Sequence, residues 1–139
     1  MESEVIQSKL ESLSRCIARI ELKTPDDPES LQADPDIQDI IAINLERAVQ
    51  ICVDIALHWI SKHSRCEAPQ TMGNAFRILE SEKIISQKLA DQLVAAVGFR
   101  NLSVHSYDQI NWDIVWSIIT KDIRVFKDFA REIASQSSE

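Results

Sequence analysis

Apolar side chains recur along this chain at steps of three and four rather than alternating, the pattern of amphipathic helices and not of half-buried strands. From Glu2 to Leu22 the stripe is Val5, Leu10, Leu13, Ile17 and Ile20, with Lys9, Arg15 and Arg19 off it, which predicts a first helix. Residues 23–35 hold Pro25, Pro28 and Pro35 among Asp26, Asp27, Glu29 and Asp34. That composition predicts an exposed, mobile acidic loop. A longer helix is expected from Asp36 to about Lys62, roughly 40 Å at 1.5 Å per residue. Its stripe of Ile37, Ile41, Leu45, Ala48, Cys52, Ile55 and Trp59 is joined by Ile40, Ile51 and Leu57 on other sides. Such breadth implies contact on more than one face, as a central bundle helix or at a subunit interface. One polar line, Arg47, Gln50, Asp54 and His58, runs along it at helical spacing, either as its wet face or as the lining of a cleft.

Beyond a break at Ser64 to Gln70, Thr71 can cap a short helix to about Ser81, and Ser86 can cap another whose Leu89, Leu93, Ala96 and Val97 face inward. That helix delivers the chain to Gly98, Phe99 and Arg100. Asn111 is a good cap for the last helix, with Trp112, Val115, Ile119, Ile123, Phe126 and Ala130 as its stripe, before a flexible tail at residues 135–139. The elements predict one all-α domain over residues 1–139, an up-and-down bundle of four to five helices.

Composition supports this and narrows the function. The chain has 2 Gly and 4 Pro in 139 residues, where average usage supplies roughly sixteen of the two together; a sandwich, barrel or doubly wound sheet would need more tight turns. With 15 Lys plus Arg against 22 Asp plus Glu, the net charge of −7 excludes coating DNA or an anionic membrane through bulk positive charge. Glu2 and Glu4 fall where a secretory signal would be apolar, and Asp39, Glu46, Arg47 and Asp54 interrupt the most apolar stretch, so neither a signal nor a membrane span is expected. Three cysteines without CxxC spacing fit a reducing cytoplasm. His58, His63 and Cys66 match no common zinc spacing, and no metal or cofactor is expected. The acidity is also local: residues 21–46 hold eight acids and one base, leaving the rest of the chain neutral. That region suggests a partner-binding face that leaves the chemistry elsewhere free to accept phosphate.

The chemistry is concentrated in Gly98-Phe99-Arg100-Asn101-Leu102-Ser103-Val104-His105-Ser106-Tyr107-Asp108. Arg100 offers a fixed, planar cation suited to a phosphodiester or carboxylate. His105 can exchange protons near neutrality, and Tyr107 can donate a hydrogen bond or accept a transferred group. Together they are the parts of a metal-free phosphodiester-cleaving site. On a continuous helix Arg100 and His105 would stand about 140° apart. Either the helix loosens after Asn101 or a second protomer completes the site. Asn101 could orient His105 or a phosphate oxygen, or be a helix-terminal residue; Arg47 and Asp54 are candidates for lining the cleft.

Arg100, four residues, His105 and then Tyr107 two places on, with Val97-Gly98-Phe99 before it and Asn44-Leu45-Glu46-Arg47-Ala48 on the long upstream helix, resembles the HEPN toxins of HEPN/MNT toxin–antitoxin pairs (HepT-like). The likeness covers nearly the whole chain. It implies a helical homodimer in which two motif segments meet across a cleft and cut RNA without metal. His105 would be the general acid or base, Arg100 would hold the scissile phosphate, and the ribose 2′-hydroxyl would attack. It further implies a cognate MNT-type nucleotidyltransferase antitoxin that adds AMP to Tyr107, blocking the site by bulk and charge. An alternative of another class is a non-catalytic helical interaction or nucleotide-binding module that partners a nucleotidyltransferase.

Overall fold

Two Asp-Pro pairs start two consecutive helices. In the computed structural model, which describes residues 2–63 and 68–137, α1 (Glu2–Lys23) is followed by a short α2 (Pro28–Ala33) and the long α3 (Pro35–Ser61). Pro28 and Pro35 occupy first-turn positions, where a helix has no N–H bond to lose. Asp27 caps α2 by accepting from the Ser30 amide at 2.8 Å, and Asp34 caps α3 by accepting from the Asp36 and Ile37 amides at 3.0 and 3.2 Å. The expected mobile loop is therefore largely a helix. It is also docked: Leu31 is fully buried, and the Gln38 amide donates to the Leu31 and Gln32 carbonyls at 3.0 and 3.1 Å.

Thr71 and Ser86 cap α4 (Met72–Ser81) and α5 (Gln87–His105), accepting from the Asn74 and Leu89 amides. A single 3₁₀ turn, Tyr107–Gln109, leads to α6 (Trp112–Ser117), a π-helical stretch Ile118–Asp122 and α7 (Arg124–Ser137). The last helix thus runs through residues 135–137, where a flexible tail was expected, and its start is loosened by the π turns. No strand occurs among the described residues, and none of their helices is long and apolar enough to cross a membrane. The break expected at residues 64–70 lies partly outside the described residues.

The bundle forms around α3, whose Ile41, Leu45, Cys52, Ile55 and Ala56 are buried against α1, α4 and α5. Leu13, Ile17 and Ile20 of α1 close one side, while Phe126 and Phe129 of α7 close another, Phe129 meeting Phe76 of α4 edge-to-face at 5.9 Å. Several apolar side chains stay outside this core. Val5, expected on the α1 stripe, is exposed, as are Leu57 and Ile43 of α3 and Leu102, Val104 and Tyr107 near the end of α5.

Candidate active site

Gly98 does not end α5. The helix continues through it to His105, and the Ser106 amide closes the last turn on the Leu102 carbonyl at 2.8 Å. Neither glycine has a positive φ, and a Cβ built on Gly98 would meet nothing within 4 Å. The backbone therefore has no need of a glycine there within one protomer. Because the helix never loosens, Arg100 and His105 point about 140° apart, separated by roughly 7.5 Å along the axis. They do not converge in one chain.

Arg100 is half-buried, and its Nη1 donates to Asn101 Oδ1 at 3.2 Å. Asn101 thus braces Arg100, not His105, and as an interior helical residue it needs no left-handed backbone. No carboxylate neutralises Arg100 among the described residues, so its guanidinium keeps donors for a phosphate. His105 is exposed at the C-terminal end of α5. Between them, Ser103 is buried and its hydroxyl has no hydrogen-bond partner among the described residues.

Tyr107 is fixed from two sides. Its hydroxyl donates to Asp39 Oδ1 of α3 at 2.5 Å, and its ring packs edge-on against Trp112 at 5.9 Å. Burial, most of all, then the hydrogen bond to Asp39 and the negative charges of Asp39 and Glu46, raise the phenol pKa well above its ordinary value. The phenol is consequently held neutral with its proton directed at a carboxylate. Asp39 is the residue of the candidate site that sequence spacing misses. It lies 68 positions upstream, in a stretch whose acidity suggests only a solvated face. Part of that acidity in fact packs beside the motif tyrosine instead of leaving the motif clear.

The polar line on α3 divides. Asp54 accepts from Lys9 of α1 at 3.1 Å and from Gln50 at 2.9 Å, tying α1 to α3 rather than serving the motif. Arg47 lies in a groove with α1 residues that includes no motif side chain. His63 stacks on Trp59 at 3.7 Å and uses Nδ1 at the Trp59 carbonyl, while Cys66 lies outside the described residues. No three His, Cys, Asp or Glu side chains among the described residues converge as metal ligands would.

The arrangement supplies an exposed proton carrier, an unpaired cation, and a phenol with its own proton acceptor. Comparison with known proteins bears on the family of the chain. A family model described as ribonuclease HepT-like matches residues 13–133. The mRNA nuclease HepT of Shewanella oneidensis is 32% identical over 134 residues, covering 96% of this chain and 99% of that protein. The tRNA nuclease HepT of Aphanizomenon flos-aquae is 26% identical over 97% of this chain and 91% of its own length. In solved structures, a tri-AMPylated Shewanella oneidensis HEPN toxin bound to its MNT antitoxin superposes with a TM-score of 0.87 at 33% identity, covering 94% of this chain and 97% of that one.

Proposed function

This chain belongs to the HepT-like ribonuclease family, and on that premise we propose that it is the toxin of a toxin–antitoxin pair, an endoribonuclease of the cytoplasm restrained by a nucleotidyltransferase antitoxin. The observation that carries the site assignment is the uninterrupted α5, which presents Arg100 half-buried and unpaired by any carboxylate among the described residues, and His105 exposed, on different faces. One phosphate cannot meet both from a single chain. A second copy supplies the missing half, and exposed Leu102, Val104 and Ile43 beside the motif give a homodimer apolar surface to bury.

In each composite site the RNA 2′-hydroxyl gives up its proton as its oxygen bonds to phosphorus, the bond to the 5′-oxygen breaks, and that oxygen takes a proton. His105 serves one of these transfers. Arg100 binds the phosphate and offsets the charge that builds on its oxygens, with Asn101 setting the plane of the guanidinium. No step calls for a metal. Silencing uses the other end of the motif: the Tyr107 oxygen attacks the α-phosphorus of ATP, pyrophosphate leaves, and Asp39 accepts the phenolic proton. The added AMP places bulk and negative charge beside Arg100.

Purified protein should cleave RNA in the presence of EDTA. His105→Ala should lower the rate by about 10²–10⁴, the usual worth of a general acid or base, and Arg100→Ala should do comparable damage without changing the oligomeric state. If both variants cut as fast as the parent, the site is misassigned. If the parent leaves RNA intact yet binds a nucleotidyltransferase, the non-catalytic module is the correct class.

A further inference from the structure

Three arginines converge in a groove of about 370 Å³ between α1 and α3, away from the motif: Arg15 and Arg19 from one helix and Arg47 from the other. None of the eight lining residues is acidic. Arg15 donates only to Ser12 at 3.1 Å, and Arg19 and Arg47 form no ion pair or hydrogen bond with any described side chain. Of the described arginines, only Arg77 and Arg131 pair with carboxylates. The three in the groove do not, although Glu11 stands four residues before Arg15, at the spacing that would pair them. Arg15 and Arg19 are themselves four apart, a like-charge spacing that disfavours the helix carrying them.

The rest of the groove leaves this charge uncompensated. Cys16 lies buried in it, and burial raises its thiol pKa despite the three nearby guanidiniums, so it contributes no thiolate. Asn44, nearly buried, is locked by its amide donating to the Ile40 carbonyl at 2.8 Å, and Gln50 lies nearly two turns beyond it. Planar, bidentate guanidinium donors at the rim of such a groove suit phosphate oxygens. Position points to which phosphates. Arg47 follows Asp39, the residue that holds Tyr107, by eight positions on α3, or about 12 Å along the axis and some 80° around it. Three to four stacked nucleotides, at roughly 3.4 Å each, span that distance.

We propose that the groove of Arg15, Arg19 and Arg47 docks the phosphodiester backbone of a ribonucleotide chain that extends from the motif. The proposal rests on the ribonuclease reading above, and it names two chains of one chemistry: the substrate RNA and the AMP tail built on Tyr107.

The test uses full-length His105→Ala protein, which binds RNA without cutting it, and a short fluorescent single-stranded oligoribonucleotide titrated by anisotropy between about 50 and 200 mM salt. Replacing the three arginines together (Arg15→Gln, Arg19→Gln, Arg47→Gln) should weaken binding and reduce the slope of log affinity against log salt by about 2, since each single-strand phosphate contact contributes about 0.7. The triple Arg→Lys variant should keep the slope, separating charge from folding. An unchanged slope in the glutamine variant overturns the proposal. So does a glutamine variant that binds RNA normally but loses the antitoxin, because the groove would then be a protein-binding face. Failure of the ribonuclease reading is a different result, RNA cleavage by the His105→Ala protein. AMP addition to Tyr107 identifies the occupant: a tail in the groove makes the arginine-intact protein behave like the glutamine variant, whereas a retained slope assigns the groove to substrate alone, and either result keeps the site.

Discussion

Asp39→Asn isolates the contact between Tyr107 and α3. The substitution keeps the shape of the side chain and an oxygen able to accept from the phenol, but removes the charge. A hydrogen bond to a charged group is worth about 1.5–3 kcal/mol and a neutral one about 0.5–1.5. Tyr107 retains 38% of its surface exposed, so solvent screening brings the expected loss to about 0.5–1 kcal/mol. Melting should fall by about 2–4 °C. The pH dependence has a definite sign. The phenol pKa is raised in the folded chain by burial first and by Asp39 second. Below about pH 10, the ordinary tyrosine value, folded and unfolded chains both keep the proton and the contribution is complete. Above it the unfolded chain releases its proton first, so stability drops as pH rises toward the folded value.

Tyr107 is the only tyrosine in the sequence, so tyrosinate absorbance reads this one group. In Asp39→Asn its midpoint should move down but stop short of the ordinary value, because burial remains and is the larger cause. Transfer of the first AMP should slow by about 10² or more once the proton acceptor is gone, while RNA cleavage by unmodified protein changes little. An unchanged titration midpoint together with an unchanged AMP-transfer rate would refute the pairing of Asp39 with Tyr107 as a functional contact.

Gly98→Ala should stabilise the protein by about 0.5–1 kcal/mol, because the site is helical and sterically open; a lower melting temperature would mean that another molecule closes against this face. Leu31→Ala should cost about 2–4 kcal/mol by urea unfolding, since Leu31 is fully buried. A loss under about 0.5 kcal/mol, the range of ordinary surface substitutions, would return α2 to the status of a surface loop. Tyr107→Phe should abolish the mass increase that follows co-expression with the antitoxin, and a variant still carrying AMP would place the acceptor elsewhere.

The helical class was legible because apolar spacing and the Thr71, Ser86 and Asn111 caps agree, and the caps are where they were expected. Proline misled at residues 23–35. Pro28 and Pro35 read as helix breakers unless the preceding aspartates are taken as caps, in which case the same residues start helices. Gly98 does not interrupt α5, since a lone glycine costs a helix only about 1 kcal/mol and the flanking residues carry it through. The dilemma posed by Arg100 and His105 needed the backbone: a continuous α5 removes the loosened helix, and the site shared between protomers is the one we propose. Asp39 was beyond sequence reasoning because its significance depends on a contact 68 residues away.

The same long-range geometry changes what a net charge of −7 implies. Asp39 and Glu46 lie toward Tyr107, while Arg47 turns toward Arg15 and Arg19, so α3 presents an acidic edge and a basic edge on one helix. Along the axis Asp39 and Arg47 are about 12 Å apart, beyond the Debye length of about 8 Å at physiological ionic strength. Exposed charges at that distance scarcely cancel one another. The acidic total therefore suppresses long-range attraction to nucleic acid, while Asp39 scarcely weakens contacts made within a few ångströms of Arg47. An RNA strand would gain little from approaching this protein and much from fitting it.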